Sequence, residues 1–561
     1  RTAPRGGRPG PRGEPPFDLR HADVEARLLE LGRDPGLSTT QAVTLEGGFR
    51  AVLDLTARRA GQGALQMSLL PMAEVTAVHD GDGRPLPWLR DATGRRFRTM
   101  DRRVHSPGLA VLLPREPAVG ERVRLVVEYR LDVRNYVPGR FWYPAVGLVE
   151  PVLLDPHTLD LEVAIRDAYR VRAMGEAGEE RVADGVRTNR WRITRPVRMA
   201  TFAFARRMVE ESVAEPGLPE VVAFSPPLGS ATAARLERIA GEVAEALAFF
   251  TELLDAPVEG PRLYVTMIQA AHGQAFEGFL HLAEESAYRP RTGPSERFHA
   301  HEVAHLWWGH RVAWSGYRDQ WLSEGLSNYL ALLFLEARHR RGQELYGEAI
   351  EVYTRQTLGS MGSSMSPFAR SEIALGNMRG GDRIGPIGHG VRAAIGEAPS
   401  AFRSQSYDRA VLALHSLRRE LRIRTGDDAA FTAILRDLVR AHDGGQIATV
   451  DFADAVSRHS SVDGARWVDQ WIHTAAIPTW RWRLTTPAGG SRVEIVVEQS
   501  GVADGFRSAV PLRVEYADGG REERLVEVAG PRTVITLELA GPPRAVELNP
   551  DYAVLARMKP L

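Results

Sequence analysis

The 561-residue chain contains no cysteine, no excess of either charge and no long apolar run. Without cysteine the fold has no disulfides, and any metal it holds must be bound by histidine and carboxylate. Lys plus Arg number 71 and Asp plus Glu number 71. That balance argues against nucleic acid as a partner, because such binders carry a basic excess. No stretch approaches the length of a membrane span. The lack of cysteine does not locate the chain. It opens on Arg1 rather than Met, so an upstream segment is expected to have been removed, and a signal peptide, an anchor or merely the choice of where the chain was cut would each explain that. An extracytoplasmic compartment is therefore slightly favoured over the cytoplasm. Nothing in the sequence fixes an oligomeric state.

What is present reads as an ordinary globular chain, 43% apolar and 25% charged, and too long for a single core. The pattern predicts a multidomain α+β protein. Residues 1–40 read as a disordered Arg/Gly/Pro tail followed by a short helix over Leu19–Leu31, on the spacing of Val24, Leu28, Leu29 and Leu31. Residues 41–217 read as an all-β, sandwich-like domain. Its strands fall at Phe49–Thr56, Leu65–Leu70, Val75–His79, Val123–Tyr129, Leu159–Ile165 and Arg190–Ile193, with turns such as Asp80-Gly81-Asp82-Gly83 between them. Residues 218–478 turn mainly helical. Leu236, Ile239, Ala240, Val243, Leu247, Phe250 and Leu254 form a helical stripe, and Leu263–Ile268 a buried strand. Residues 357–400, rich in Gly, Met and Ser, predict a long ordered loop of the kind that lines sites. Residues 479–561 return to alternation, at Val493–Val497, Leu512–Tyr516, Arg524–Val528 and Val534–Leu539. This predicts a small immunoglobulin-like β-sandwich.

The chemistry concentrates in His301-Glu302-Val303-Ala304-His305. Imidazoles four residues apart on a helix point the same way and occupy two corners of a zinc tetrahedron. The glutamate between them reaches a water on that metal rather than the metal itself. Glu324, separated from His305 by eighteen residues and on a second helical pattern, supplies a third ligand and leaves one position open. The expected cofactor is one zinc ion per chain, held by His301, His305 and Glu324, with Glu302 as general base. The bland alternative packs both histidines as core residues beside Trp307 and Trp308. A tetrahedral oxyanion needs a second donor. Tyr407, at the start of a third helical pattern running to Leu421, is the candidate, and a tyrosine merely packed at a helix start is an equal reading. Asp319 either orients a metal-bound imidazole or caps a helix. His272, His281, His299, His310 and His389 lie near these motifs and read as structural.

At this point the chain resembles the aminopeptidase N family of gluzincin metallopeptidases. His301-Glu302-Val303-Ala304-His305-Leu306-Trp307-Trp308-Gly309 is similar to its HExxHxWWG segment, and Asp319-Gln320-Trp321-Leu322-Ser323-Glu324-Gly325 to its DxWLxEG segment. Tyr407-Asp408-Arg409-Ala410 resembles its Tyr-Glu-Lys-Gly element, whose tyrosine stabilises the transition state. Gly385-Pro386-Ile387 and Trp467 to Pro478 are similar as well. The resemblance implies a thermolysin-like catalytic domain behind the N-terminal β domain, acting on peptides. The family often carries a large C-terminal helical domain, and by the resemblance that part is expected to be absent here.

The family's GxMEN motif is altered to Gln274-Ala275-Phe276-Glu277-Gly278. By the resemblance Glu277 binds the substrate's α-amine, which measures one residue from the metal; a solvated loop carboxylate is the alternative. Phe276 in place of Met would reshape the first side-chain pocket. Gly278 to Glu285 is expected to form a sheet-edge strand that an extended peptide joins by main-chain hydrogen bonds. Glu150 is a further candidate for amine contact. The expected function is a zinc aminopeptidase. An endopeptidase or a narrow dipeptide-specific enzyme on the same site is the first alternative, and a non-catalytic scaffold of the same fold is the second.

Overall fold

The computed structural model describes residues 15–31, 45–90, 108–133, 137–138, 141–146, 154–270, 272–288, 293–359, 385–394, 404–486 and 490–561. The tail over residues 1–14, Glu150 and most of the 357–400 loop lie outside them. Backbone contacts divide the chain into two compact units, Arg1–Leu247 with Val258–Pro290, and Ala248–Pro257 with Arg291–Leu561. The fold is multidomain α+β.

The first unit is built on a seven-stranded sheet. Its order is Glu176–Ala183, Val186–Val197, His157–Arg166, Phe17–Leu31, Leu45–Ala57, Arg122–Val133 and Glu74–Asp80. A four-stranded sheet (Trp88–Arg90, Leu109–Leu112, Ala64–Ser68, Ala145–Val146) adds its inner side chains to the same apolar cluster. Every strand expected between Phe49 and Ile193 lies in one of these sheets.

The helix expected over Leu19–Leu31 is instead the strand Phe17–Leu31, paired antiparallel with Leu45–Ala57 and parallel with His157–Arg166. Ala22, Val24, Ala26 and Leu28 are all buried, while Asp23, Glu25 and Arg27 are not. That is a period of two. Val24 and Leu28 alone satisfy both periods, because a separation of four is two pleats of a strand and about one turn of a helix.

A five-stranded sheet completes this unit, in the order Val209–Val213, Glu220–Ser225, Arg262–Ile268, Phe279–Ala283, Gln274–Phe276. The edge strand is therefore Gln274–Phe276. The segment expected at the edge, within Gly278 to Glu285, is the strand Phe279–Ala283, which runs between Arg262–Ile268 and Gln274–Phe276. Phe276 pairs with Phe279, so Glu277 and Gly278 form a tight hairpin tip. Gly278 turns it with a φ of 93°, a conformation that side chains other than Asn and Asp resist. A short helix, Glu284–Ala287, follows the last strand.

Helix α1 (Thr232–Leu254) buries its whole expected stripe, from Leu236 to Leu254. Taking Glu284–Ala287 as α2, the second unit then runs through α3 (Pro294–Ala304), α4 (Trp321–Arg338), α5 (Gly342–Leu358) and α6 (Ala410–Thr425). It closes with two sheets: Arg532–Glu538, Arg492–Ser500, Thr479–Thr485, Arg557–Pro560, and Arg521–Ala529, Arg507–Tyr516, Pro543–Leu548. Val493, Ile495, Val497, Val510, Leu512 and Val514 are buried in these sheets, as the sequence alternation predicts. Arg419 of α6 reaches Glu523 of the second sheet at 2.8 Å.

Trp142 is 1% exposed, donates to the Ala200 carbonyl at 2.8 Å, and packs against Phe49, Tyr143 and Phe202. Trp142→Ala removes a large core side chain and its hydrogen bond. It is expected to destabilise the first unit by about 3–5 kcal/mol, read from denaturant unfolding; a loss below about 1 kcal/mol would contradict this packing.

Candidate active site

Helix α3 starts at Pro294, behind Gly293, which holds a φ of 106°. A Cβ on Gly293 would lie 2.6 Å from the Leu345 side chain. Glu296 caps the entry by accepting from the Gly293 amide at 3.1 Å and from Ser295 Oγ at 3.0 Å. The helix ends at Ala304, so His301 sits in its last turn and His305 just past it. Their Nε2 atoms stand 3.1 Å apart. Glu324, in the first turn of α4, brings Oε2 to 3.2 Å from His305 Nε2 and 3.6 Å from His301 Nε2. Glu302 is buried beside them, and its charge raises the proton affinity of His305.

The His305 ring is held from behind. Its Nδ1 is 2.8 Å from the Trp308 carbonyl, which fixes the tautomer that turns the Nε2 lone pair toward Glu324. Ser327 Oγ lies 3.1 Å from the same Nδ1, and Ser323 Oγ donates to the Trp308 carbonyl at 3.0 Å. Asp319 is spent on a different helix: its Oδ1 accepts from the amide and the hydroxyl of Thr449, both at 2.8 Å, at the start of Thr449–His459.

Burial disfavours charge on His305 and on Glu324, yet their mutual attraction prevails. Against desolvation, Glu324 carries His305 up to about 9. Against desolvation again, His305, then His301 and a hydrogen bond from Tyr407, bring Glu324 down to about 2. The pocket therefore stabilises a positive charge shared among these side chains.

Tyr407 comes from a wide helical turn, Ser404–Arg409, that leads into α6. Its ring stacks on His301 at 5.9 Å and 24°, and its hydroxyl bonds to the Glu324 carboxylate. It thus joins the site rather than merely packing at a helix start. Arg409, 1% exposed, anchors the turn through the carbonyls of Thr474 (2.9 Å) and Ala476 (3.3 Å). Two of the other histidines have defined surroundings. His299 is fully buried, and His281 bonds to Thr201 Oγ1 at 3.2 Å within the first unit.

The altered motif lies in the first unit. Glu277 Oε1 accepts from the Arg198 amide at 3.5 Å and faces Arg198 Nη1 at 4.0 Å. Gln274 Nε2 donates to the Ala275 carbonyl at 2.8 Å. Phe276 is 4% exposed and packs on His281 within the core, so its side chain does not form the wall of a pocket.

Residues 284–471 match the model of the Peptidase family M1 domain. That segment of the chain is thus similar to the M1 peptidases. Two curated relatives, Probable M1 family aminopeptidase 1 and Probable M1 family aminopeptidase 2 of Encephalitozoon cuniculi (strain GB-M1), are each 23% identical over 246 residues, 42% of this chain and 24% of theirs. The chain thus aligns with about a quarter of the length of those relatives. In fold, it matches Legionella pneumophila aminopeptidase A, solved in complex with aspartic acid. The TM-score is 0.70 at 12% identity, covering 98% of this chain and 60% of that one.

M1 peptidases are metallopeptidases, so the domain implies a metal ion. The donors fit one. Around a tetrahedral ion with bonds of about 2.0–2.1 Å, donors stand roughly 3.3–3.4 Å apart, and the observed separations of 3.1, 3.2 and 3.6 Å bracket that spacing. Among the described residues one other group has comparable spacing, His21, Asp23 and Asp160. There Arg192 already engages both oxygens of Asp160, at 3.1 and 3.3 Å, which makes it a surface ion network.

Two glycines of the M1 segments have steric causes. A Cβ at Gly309, φ 121°, would sit 2.8 Å from Ser323 Oγ, the group that braces the Trp308 carbonyl. A Cβ at Gly325 would sit 2.6 Å from Ala410 Cβ, so only glycine lets α4 meet the start of α6 and places Glu324 beside Tyr407. Sequence reasoning missed Ser323, Ser327 and Arg198. The two serines had a usable signal, since they fall one residue before and three after Glu324 on the same helix. Elemental analysis of the purified chain is expected to find about one divalent ion. His305→Ala and Glu324→Gln should each weaken retention by more than about tenfold. A full equivalent kept by either variant would remove these ligands from the assignment.

Proposed function

We propose that the chain is a zinc-dependent aminopeptidase that releases N-terminal residues from peptides. The observation that carries this reading is the convergence of His301, His305 and Glu324 on one point, with the Tyr407 hydroxyl on the same carboxylate. His301, His305 and Glu324 would hold one zinc ion. When bound, it lowers the pKa of a coordinated water to about 7 and polarises the scissile carbonyl.

The chain's own residues then divide the work. Glu302 takes the proton of the attacking water and passes it to the departing amine nitrogen. Tyr407 donates a hydrogen bond to the oxyanion as the carbonyl becomes tetrahedral, and it does so as a neutral group. Glu277 pairs with the substrate's α-ammonium, and the strand Gln274–Phe276 offers main-chain groups to the peptide. Holding the amine at a fixed place selects the first peptide bond over later ones.

A narrower dipeptide specificity is the second reading, and Gln274 supports it. Its side-chain amide occupies the Ala275 carbonyl on the edge strand, an acceptor that an extended peptide would otherwise use. Digestion of a peptide library read by mass spectrometry separates the two. Stepwise shortening of long peptides favours the first, cleavage confined to dipeptides the second, and internal cleavage would refute both.

With aminoacyl-arylamides, acetylating the amine is expected to abolish turnover; equal rates on blocked and unblocked substrates would end the exopeptidase reading. Glu302→Gln should lower kcat by about 10²–10⁴-fold and Tyr407→Phe by about 10²–10³-fold, both with metal content unchanged. Wild-type kcat in either would remove that residue from the mechanism.

A further inference from the structure

The three donors of the metal centre come from two elements. His301 and His305 lie at the end of α3, so one helix sets their spacing, whereas Glu324 belongs to α4. The separations of 3.2 and 3.6 Å from Glu324 to the two histidines therefore depend on how α3 and α4 are held against each other. A slip of about 1 Å between the helices would take a donor out of range of an ion whose bonds are about 2.0–2.2 Å long. The two helices run antiparallel. At the end away from the ligands, Glu296 in the first turn of α3 faces His339, just past α4, at 3.8 Å.

Between these ends the two ligand-bearing faces are joined again. Arg297 precedes His301 by four residues and Asn328 follows Glu324 by four. Each thus lies one turn, about 6 Å along the axis, from a ligand on the same face of its helix. Both reach one atom, the hydroxyl oxygen of Tyr353 on α5: Arg297 Nη1 donates to it, and Asn328 Nδ2 donates to it at 3.3 Å. The bond from the guanidinium is charge-assisted, and the same guanidinium stands 5.8 Å from the centre of the Tyr353 ring. Arg297, Asn328 and Tyr353 are 7%, 7% and 2% exposed, so water cannot readily take the place of these bonds. Helix α5 is itself fixed against the start of α3, where Leu345 fills the space beside Gly293.

We propose that Tyr353 is a positioning residue of the metal centre: its hydroxyl ties α3 to α4 one turn behind the ligands and so holds Glu324 at the distance from His301 and His305 that a shared ion requires. The inference rests on the reading of those three side chains as the holders of one zinc ion. Packing alone would be served by a phenylalanine ring of the same shape; the oxygen is what both ligand helices address. Tyr353 acts through the helices that carry the ligands, so its loss is read in metal affinity and coordination geometry.

The test compares wild type, Tyr353→Phe, Asn328→Ala and the double variant as full chains. Zinc affinity is read by competition with a chromophoric chelator, and coordination geometry by the visible absorption of the cobalt(II)-loaded chains. Tyr353→Phe is expected to weaken zinc binding about tenfold and to shift the cobalt absorption. Asn328→Ala is expected to act in the same direction, and the double variant to bind no more weakly than Tyr353→Phe, because both changes break one junction; fully additive losses overturn the proposal. A merely structural tyrosine would lower unfolding stability yet leave the folded Tyr353→Phe chain with wild-type zinc affinity and cobalt absorption, and that result also overturns it. Should Tyr353→Phe not fold, Asn328→Ala carries the same comparison, with wild-type affinity again the overturning result. Wild type that binds no zinc instead overturns the metal-centre reading itself, so the two failures are distinct.

Discussion

Two imidazole nitrogens and a carboxylate oxygen are held 3.1 to 3.6 Å apart in a pocket where each side chain is at most 20% exposed. Nothing in that arrangement is comfortable without a positive charge at its centre. Desolvation pushes His305 and Glu324 toward their neutral forms, and it loses to the pull between them. The surrounding fold is arranged to keep that charge density from relaxing apart. The Trp308 carbonyl pins the far side of the His305 ring, and two serine hydroxyls of α4 close around the same nitrogen. The residues of the metal centre thus depend on a shell of uncharged acceptors and donors that cannot compete for the ion.

Close helix approach does the rest. Glu324 and Tyr407 come from segments more than eighty residues apart in the chain, and they meet because Gly325 carries no side chain against Ala410. A second glycine, Gly309, clears space for Ser323 on the opposite side of the same helix turn. Trp307 and Trp321, each fully buried, fasten the ends of this arrangement through their indole N–H groups, one to the Ala256 carbonyl and the other to Thr449 Oγ1. The WWG and WLxEG segments therefore combine two kinds of residue: ones that must be large to hold helices in place and ones that must be absent in volume to let them touch.

Much of this was legible before any coordinates, for a physical reason. A metal site written on helices uses fixed separations, so His301 and His305 declare themselves through spacing alone, and Glu324 through its place in a second apolar pattern. The β strands of the first unit were legible through alternation. The reading failed where one spacing serves two periods: Val24 and Leu28 fit a helix and a strand equally, and only the strand partners Leu45–Ala57 and His157–Arg166 decide it. It also failed on order within a sheet. Sequence gives the strand at Phe279–Ala283 but not that Gln274–Phe276 lies outside it, because edge position is a property of pairing and not of composition. Arg198 carried no local signal at all: an arginine in a polar stretch reads as solvated until the fold buries it.

The altered motif shows which parts of a recognition segment are chemical and which are conformational. Gly278 stands where the family has Asn. Both tolerate the left-handed backbone that the hairpin tip requires, and the observed φ of 93° makes the exchange conservative in the one respect that matters there. Phe276 stands for Met, and its ring is taken up by the core beside Phe279 and His281, where either apolar side chain would serve packing. Neither change touches the carboxylate between them. Gln274 is different in kind, since it adds a donor to a strand whose use to a substrate is its unoccupied main chain, and that donor sits on the adjacent carbonyl. The motif therefore departs from the family pattern without loss at the turn and the core, and departs with consequence at its first position. The change at the first position falls instead on the main chain of the edge strand, where Gln274 Nε2 already engages the Ala275 carbonyl.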